Sequence, residues 1–382
     1  MDFSLSSEQK ALADSVARFA RSELNHDVQS RDRDGRFPHD LWLKCGELGL
    51  LGLPVDASHG GSGLDALSTC IALEALGRGC RDSGLNFSIC AHLLACVVPV
   101  WKHGSEQLKA KYLRQLCSGK LIAVNAMTEA HTGSDPFSML SRAVPENGGF
   151  RINGTKTFST NGPIADVAVF YAMTDRDKGY HGGVTSFLVD RHEHGFACGQ
   201  KFAKMGLRTS PICELVFDDV WVPAANVIGH VGGGAGIFTE SMEWERICLV
   251  ACHLGVMQRL LEAAVGYARE RRQGGQIIGK HQAVANRIAN MKVRLEASRL
   301  LVYQAANKLG KKRSVGMDAA ITKLFVSEAL VETAQDALRT FGGYGFMEEY
   351  DVERAVRDAM GSVLYSGTSD LQRNIVASWL GL

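Results

Sequence analysis

The chain has 382 residues, of which 46% are apolar and 22% are charged, so it is long enough for two or three domains and too apolar for a disordered chain. It carries 42 Lys and Arg against 41 Asp and Glu, a formal charge of +1. So small an imbalance gives no bulk attraction to nucleic acid or to an anionic membrane, and we expect neither as a partner.

The N-terminal residues and the cysteines indicate a cytoplasmic protein. The first ten residues carry Asp2 and Glu8 and lack a basic region followed by an apolar one, so we expect no secretory signal. No stretch reaches 18 consecutive apolar residues, the length expected of a membrane span. The ten cysteines include no CxxC pair and are expected to be small buried thiols in a reducing compartment. No metal-ligand spacing is present, so we predict no metal site.

The first third of the chain is predicted to be helical. Residues 6–24 begin with Ser6 and Gln9 at the spacing of a capping box and then place Leu12, Val16 and Phe19 on one helical face. Further helices are predicted at 38–48, 65–78, 86–100 and 105–117. We therefore predict an all-α N-terminal domain over residues 1–120.

The middle third is predicted to be a β domain. Short runs rich in β-forming residues are bounded by Gly, Pro and Asp, and lie at 121–127, 150–152, 155–160, 167–173, 184–189 and 213–221. Asn153-Gly154 has the composition of a two-residue hairpin turn. Because no helical pattern separates these runs, we predict an antiparallel β barrel or sandwich over residues 121–230.

The last third returns to helical periodicity. Three long apolar patterns start at residues 236, 284 and 317, and a last helix follows Gly367. The second pattern alternates spacings of four and three, which is typical of helices packed nearly antiparallel. The third pattern consists of Met317, Ile321, Leu324, Val331, Ala334 and Leu338. We predict a C-terminal four-helix bundle over residues 231–382.

Five motifs share the order and spacing found in one family. They are AMTEAHTGSD (126–135), NGTKTFSTNG (153–162), YARERRQGGQIIGKHQAV (267–284), FGGYGFMEEYDVERAVRDA (341–359) and YSGTSDLQR (365–373). Together they resemble the acyl-CoA dehydrogenase family along nearly the whole chain, whereas any one alone would be a weak signal. The resemblance implies FAD as cofactor and the removal of hydrogens from Cα and Cβ of an acyl thioester.

The first two motifs and the last match residues that contact FAD in that family. Thr128 matches the threonine near flavin N5, the acceptor of the β-hydride, Ser134 matches the serine near the pyrophosphate, and Thr160 matches a second flavin-contacting threonine. Phe158 stands where the family usually has a tryptophan beside the isoalloxazine ring. The resemblance implies the same cofactor-binding role for Met127, Thr368 and Asp370.

One further motif, at 267–284, matches positions that reach the FAD of a neighbouring subunit. Arg271 and Gln273 occupy these positions, and an arginine there can donate to a diphosphate. Gly274 departs from the usual phenylalanine, which removes one packing contact with the adenosine part. Gly342 and Gly343 would allow the backbone to approach the cofactor closely. The resemblance therefore implies a homo-oligomer, either a dimer or a tetramer built as two dimers.

The catalytic base of many family members is missing from its usual place. Their YEGT motif reads YSGT here, and Ser366 has no useful basicity without an activating partner. One branch of the family, with the isovaleryl and long-chain enzymes, carries the base on the first long helix of the C-terminal domain, directly before an arginine. In MEWERICL (242–249), Glu245 followed by Arg246 matches that pair. We expect Glu245 to abstract the α-proton.

The neighbours of Glu245 are expected to bind substrate. Glu243 lies two residues away, which rotates its side chain by roughly 200° on a helix, so the two carboxylates cannot share one pocket. Glu243 could instead contact the thiol-bearing arm of the substrate. In the family the backbone N–H of the residue at Ser366 helps to hold the thioester carbonyl, which makes the α-proton more acidic. Arg246, Tyr365 and Gly367 complete the predicted substrate-binding set.

The combination of WER and SGTSD resembles a sub-branch that includes L-prolyl-carrier-protein dehydrogenases. The thioester could therefore be carried by a carrier protein or by CoA, and the electron acceptor could be an electron-transfer flavoprotein or oxygen. Two alternatives stay open: a non-catalytic acyl-binding scaffold of the same fold, and a flavin oxidase acting on a non-thioester such as a nitroalkane. The family member that oxidises nitroalkanes has an aspartate at the position where this chain has Ser366.

Overall fold

The computed structural model describes residues 4–311 and 315–382, so Asp2, used above against a secretory signal, lies outside the described residues. The first part of the chain is helical, as predicted. Its helices are α1 (Ser7–Glu23), α2 (Val28–Asp34), α3 (His39–Glu47), α4 (Ala66–Gly79), α5 (Ser83–His92), α6 (Val98–His103) and α7 (Glu106–Cys117). A π-helical segment, Leu93–Val97, joins α5 to α6.

Helix α1 confirms the capping box. The backbone N–H of Gln9 donates to Ser6 Oγ and the backbone N–H of Ser6 donates to Gln9 Oε1, both at 3.1 Å. Val16 is buried on the predicted face, where Leu12 and Phe19 pack against the core. These bonds satisfy two of the N–H groups that every helix leaves open at its start.

The middle part forms one eight-stranded sheet. Its strands are β1 (Ala123–Ala126), β2 (Arg142–Glu146), β3 (Gly149–Thr160), β4 (Val167–Met173), β5 (Val184–Asp190), β6 (Phe196–Lys201), β7 (Ile212–Pro223) and β8 (Val227–Ile228). They lie in the order β6-β7-β3-β2-β4-β5-β8, with β1 beside β4. The β character is confirmed, but the pairing is mixed, because β1 and β2 run parallel to β4.

The hairpin turn predicted at Asn153-Gly154 is wrong. Strand β3 continues through this dipeptide, because the segments on both sides of it pair with β7. The irregularity there is a β-bulge, and the Asn153 side chain accepts a hydrogen bond from the backbone N–H of Asp219. The turn lies one Asn-Gly earlier, at Asn147-Gly148, where both residues have positive φ (43° and 77°) and the flanking residues pair. Positive φ at both central residues is what a tight type I′ hairpin turn requires.

The last part of the chain is helical again. Its helices are α8 (Gly234–Glu270), α9 (Gln282–Leu309), α10 (Gly316–Phe341), α11 (Val352–Met360) and α12 (Ser369–Trp379). Short strands β9 (Arg272–Gln273) and β10 (Gln276–Ile277) form a hairpin between α8 and α9. Helix α10 packs against α8, α9, α11 and α12, which gives the predicted helical C-terminal part a central element.

Of the six residues that carry the third apolar pattern, only Ala334 is fully buried on α10. Met317, Ile321, Leu324, Val331 and Leu338 are only half-buried. The buried side chains are mostly small or polar, and they are Ala319, Ala320, Thr322, Lys323, Val326, Ser327, Ala329, Leu330, Thr333, Ala334, Ala337 and Thr340. Small side chains suit a helix surrounded by four others, because its neighbours can then approach closely. Val331 and Leu338 still pack against the core with part of their side chains, whereas Phe325 is exposed.

Two helical stretches are long and apolar enough to cross a membrane by length and composition, Ser83–His103 and Gly234–Glu270. In their most apolar windows, 83% and 78% of the residues are buried inside the protein. A helix that is apolar on all sides is typical of the core of a large protein, so packing accounts for both stretches.

Candidate functional site

A cavity of about 700 Å³ lies where the three parts of the chain meet. Helix α5 and the π-helical segment after it form one wall, and the sheet forms a second wall. Helix α8 and the loop before α12 close the remaining sides. We call it the large cavity. A volume of this size fits a cofactor together with part of a substrate.

The sheet wall carries the residues that the first two motifs predict for FAD. Met127, Thr128, Ser134, Phe158 and Thr160 all line the large cavity. The backbone N–H of Thr157 donates to the carbonyl of Thr128 at 2.8 Å, which ties the loop after β1 to β3. The structure therefore brings together hydroxyl groups that are distant in the sequence.

Several features of this wall fit a flat aromatic cofactor. Phe158 is a large apolar side chain that is nevertheless 63% exposed, and its φ of 51° turns it out of the regular strand. The buried Oδ1 of Asn125, which also lines the cavity, has no hydrogen-bond partner among residues 4–311 and 315–382. An exposed ring and an unsatisfied acceptor both favour a bound partner. These residues fit FAD.

A buried ion pair supports the same wall, and sequence reasoning missed its role. Lys156 Nζ lies 2.9 Å from Glu129 Oε1 and donates to the carbonyl of Met127 at 3.0 Å. Burial opposes the charge of Glu129, yet Lys156 and hydrogen bonds from Ser141 and Leu140 hold the pKa of Glu129 at about 2. Burial lowers the pKa of Lys156 to about 8. Both residues lie inside motifs quoted above, so only their pairing in space was hidden.

Glu245 lies at the opposite side of the large cavity, on α8. It is buried, and its Oε1 accepts a hydrogen bond from the hydroxyl of Ser366. Burial raises the pKa of Glu245, while Ser366, Arg246 and Lys323 act in the opposite sense. A buried carboxylate with a raised pKa in a cavity is typical of a group that transfers protons.

The loop before α12 holds Ser366 in a particular conformation. Its φ is 55°, and that of Gly367 is 88°, so two successive residues are left-handed. The Ser366 carbonyl accepts from Arg246 Nε at 3.1 Å and from Gln372 Nε2 at 3.2 Å. The backbone N–H of Ser366 makes no hydrogen bond with any described residue. The Ser366–Gly367 peptide is thus held by its carbonyl, while the N–H of the preceding Tyr365–Ser366 peptide stays available.

Tyr365, on the same loop, also lines the large cavity. Its ring contacts Phe87, with centroids 4.4 Å apart, and its hydroxyl lies 2.9 Å from Nε2 of His253. Burial raises the pKa of the Tyr365 hydroxyl and lowers the pKa of His253 to about 3, so both groups are neutral. No sequence spacing around His253 indicates this contact, because Tyr365 lies 112 residues further along the chain.

The expectation that Glu243 contacts the substrate arm is not supported by its position. Met242, Glu245 and Arg246 line the large cavity, whereas Glu243 does not. Its carboxylate lies beside Gly316 at the start of α10, and burial raises its pKa. The rotation of two residues along the helix places it on another face, as the spacing indicated.

Other predicted cofactor residues lie outside the large cavity of their own chain. The Arg271 guanidinium lies 5.4 Å from the ring centre of Tyr344, and Tyr344 directly follows Gly342 and Gly343 in the sequence. The Gln273 carbonyl lies 3.1 Å from Nε2 of His281. The Asp370 side chain is 94% exposed, whereas Thr368 lines the cavity and caps α12. The predicted residues thus form two groups, one in the cavity and one on the surface.

Among the described residues, no group of three or more His, Cys, Asp or Glu side chains could hold a metal ion. All ten cysteines are free thiols, and nine of them are buried.

This fold and this cavity define a flavoenzyme that acts on CH–CH bonds, and the sequence comparison gives the family. Three family models match in order: the acyl-CoA dehydrogenase N-terminal domain at residues 6–120, the middle domain at 125–220 and the C-terminal domain at 232–381. The chain belongs to the acyl-CoA dehydrogenase family.

Its similar relatives share its full length. An L-prolyl-[peptidyl-carrier protein] dehydrogenase from a Serratia species is 44% identical over 100% of this chain and 99% of the relative. The solved structure of PigA with FAD and proline has a TM-score of 0.98 and 43% identity, and covers 100% of both chains. The prolyl acyl carrier protein oxidase AnaB has a TM-score of 0.97 and 40% identity, and covers 99% of this chain and 100% of AnaB.

Proposed function

We propose that this chain catalyses the FAD-dependent α,β-dehydrogenation of an acyl thioester that is carried on the phosphopantetheine arm of a carrier protein. The observation that carries the proposal is the buried carboxylate of Glu245 opposite the hydroxyl-lined wall with Thr128 and Phe158, across one cavity. The carrier protein is favoured over CoA because two relatives named for prolyl carrier-protein substrates are 44% and 42% identical to this chain, whereas two acyl-CoA dehydrogenases are 38% and 37% identical.

Glu245 is the proposed base. Its carboxylate, when ionised, takes the proton from Cα of the thioester, and burial raises its pKa so that it holds this proton more tightly than an exposed glutamate. The hydroxyl of Ser366 donates to Glu245 Oε1 and orients it. FAD, when bound, supplies the acceptor for the hydride that leaves Cβ.

The backbone N–H of Ser366 is the proposed donor to the thioester carbonyl. Arg246 and Gln372 hold the carbonyl of the next peptide, Ser366–Gly367, so the loop that carries this N–H is anchored on its C-terminal side before substrate binds. A preorganised donor stabilises the negative charge that develops on the thioester oxygen when the α-proton leaves. Tyr365 and Gly367 shape the surrounding wall.

The proposed FAD site is shared between two copies of the chain. Met127, Thr128, Ser134, Phe158, Thr160 and Thr368 would hold the cofactor within one chain. Arg271, Gln273, Gly342, Gly343 and Asp370 lie outside that cavity and would reach the cofactor of a neighbour. Exposed apolar side chains on α9 and α10 support a homo-oligomer, namely Val293, Leu300 and Phe325. We propose at least a dimer, and a tetramer built as two dimers.

Two further parts of the proposal concern the surroundings of the enzyme. The free state of all ten cysteines supports a reducing compartment, and we propose the cytoplasm. The proposed electron acceptor is an electron-transfer flavoprotein or oxygen, and reoxidation of the reduced enzyme with each separates them.

The test is the product formed by FAD-loaded enzyme. An acyl panel is offered both as CoA thioesters and on a phosphopantetheinylated carrier protein, and flavin bleaching is followed without oxygen while mass spectrometry measures the loss of two hydrogens. We expect bleaching and loss of 2 Da with the carrier-bound acyl group at higher kcat/KM than with CoA. Bleaching by neither form contradicts the function, and a preference for CoA contradicts the carrier.

The oligomer is tested by light scattering of the same preparation. We expect a mass of at least two chains with FAD bound. A monomer that carries a full complement of FAD would contradict the shared site.

A further inference from the structure

A second, smaller cavity lies behind one wall of the large cavity. Phe87, Leu207, Asp358 and Tyr365 line both cavities and therefore form the wall between them. Its volume of about 30 Å³ suits one water molecule or one small functional group. We call it the small cavity.

Two buried polar side chains line the small cavity without hydrogen-bond partners. Asn86, on α5, is 2% exposed, and neither its Oδ1 nor its Nδ2 has a partner among residues 4–311 and 315–382. His253, on α8, is 7% exposed, and its Nδ1 is unpartnered over the same residues. Because buried polar groups are nearly always hydrogen-bonded, three such atoms around one cavity indicate a polar occupant.

The remaining lining is apolar or weakly polar. It consists of Ser83, Cys90, Leu249, Cys252, Val256, Leu330, Ala355 and Ala359. The unpartnered atoms of Asn86 and His253 are therefore the groups of this lining that a polar occupant would contact.

The charges around the small cavity favour a neutral occupant. Burial lowers the pKa of His253 to about 3, so its imidazole is uncharged. The carboxyl group of Asp358 accepts the backbone N–H of Leu207 at 2.6 Å, and burial raises its pKa to about 6. A carboxylate would be repelled by ionised Asp358. An ammonium group would be attracted by Asp358 but would lose its hydration in a cavity lined mostly by apolar side chains. A hydroxyl group, which both donates and accepts, suits Asn86 and the imidazole.

The position of the small cavity matches the far end of an acyl group. Glu245, Leu249 and His253 recur at spacings of four on one face of α8. Glu245 lines the large cavity, and the other two line the small one. Eight residues span about 12 Å along a helix, so His253 lies roughly 12 Å along α8 from the base. An acyl chain of a few carbons bridges that distance.

We propose that the small cavity is a subsite for a hydroxyl group carried at the far end of the acyl group of the substrate. The inference rests on the proposed function, because it assigns the substrate of that same site. Asn86 and His253 would be specificity-determining residues, and the Phe87 and Tyr365 rings would flank the acyl chain where it passes between the cavities.

The experiment compares matched thioesters on the FAD-loaded enzyme. Butyryl, pentanoyl and hexanoyl thioesters are offered beside their ω-hydroxy and ω-amino counterparts, each on CoA and on a carrier protein. Rates of anaerobic flavin reduction at low substrate give kcat/KM, and the change of flavin absorbance gives binding. We expect at least one ω-hydroxyacyl group to be favoured over its unsubstituted partner by about 5- to 150-fold, the range for satisfying a buried polar group.

Two variants and a control locate the effect. Asn86→Leu and His253→Phe should each bring the ratio of ω-hydroxyacyl to acyl kcat/KM toward one. Thr69→Val is the matched control, because Thr69 Oγ1 is also buried without a partner among the described residues but lines neither cavity, and it should keep the wild-type ratio.

The outcomes separate this proposal from the function on which it rests. Wild-type enzyme that reduces flavin with all acyl groups without a preference for hydroxyl overturns the subsite and leaves a structural water as its occupant. A preference for the ω-amino acyl group over the ω-hydroxyacyl group overturns the assignment of a neutral hydroxyl group to the small cavity. Reduction by none of the thioesters contradicts the proposed function, and the hydroxyl preference is then decided by binding alone.

Discussion

The hydroxyl group of Ser366 should control the pH range in which the base works. It donates to Oε1 of Glu245, a carboxylate that is otherwise buried and whose pKa burial raises. Hydrogen bonds to charged groups contribute about 1.5–3 kcal/mol. Since 1.36 kcal/mol corresponds to one pKa unit, losing this bond in Ser366→Ala should raise the proton affinity of Glu245 about ten- to a hundredfold.

The sign of the effect on activity follows from the role of the base. Only the ionised carboxylate can accept the α-proton, so the rate falls at low pH as Glu245 becomes protonated. Ser366→Ala stabilises the protonated form relative to the ionised one, which moves the acidic limb of the profile to higher pH by about one to two units. At a pH above the acidic limbs of both wild type and Ser366→Ala, the rates of the two enzymes should differ by only a few-fold.

The assay is single-turnover flavin reduction without oxygen over a range of pH, which isolates the chemical step. At the φ of 55° that Ser366 adopts, serine and alanine carry the same Cβ strain, and Ser366→Gly removes the hydroxyl together with that strain. Ser369→Ala is the matched control, because the Ser369 hydroxyl has no partner among the described residues and should leave the limb in place. An acidic limb that stays unmoved in both Ser366 variants would refute the reasoning.

Three other predictions test the site. Glu245→Gln should bind FAD yet lose flavin reduction by about 10²- to 10⁴-fold. Because burial favours the protonated form of Glu245, the neutral glutamine should also raise the unfolding temperature near neutral pH above that of wild type. Wild-type rates in Glu245→Gln, or loss of activity in Glu243→Gln, would show that the wrong carboxylate was chosen. Adding Ser366→Glu to Glu245→Gln should restore part of the rate, and no gain would contradict a pocket open from both sides. Lys156→Met should lower the free energy of unfolding, measured in urea, by about 3–5 kcal/mol, because it leaves Glu129 buried and unpaired. Adding Glu129→Gln to Lys156→Met should recover part of the lost stability. Equal stability of wild type and Lys156→Met would contradict this prediction.

The sequence predicted the parts of the fold that local patterns determine. The capping box of Ser6 and Gln9 is present, and β4 has the bounds that its apolar run predicted. Strand β4 is buried along its whole length, so composition alone identifies it. Where a pattern had two readings, local information failed. Asn147-Gly148 and Asn153-Gly154 have the same composition, and only pairing with β7 determines which of them turns.

The site was predictable where single residues carry the chemistry. Glu245 and the hydroxyl-bearing residues of the sheet wall were found from motifs, and they line one cavity. Interactions between distant residues could not be found in this way. Glu129 and Lys156 are 27 positions apart, and His253 and Tyr365 are 112 positions apart. No sequence pattern predicts that His253 and Tyr365 are in contact. The contact between His253 and Tyr365 depends on how α8 packs against the loop before α12.

The contact between Glu245 and Ser366 gives a physical reason for the residue that this chain carries at each position. The Ser366 hydroxyl touches the Glu245 carboxylate, so a side chain at position 366 reaches the same volume that the helix-borne carboxylate fills. Two carboxylates in that volume could not both be ionised, because each would raise the proton affinity of the other. With glutamate on the helix, position 366 is therefore best filled by a short donor, which supports the base without competing for its charge. The left-handed peptide of the loop and its carbonyl contacts with Arg246 and Gln372 do not depend on that side chain. The backbone N–H of Ser366 can thus keep its role toward the thioester whichever side supplies the base.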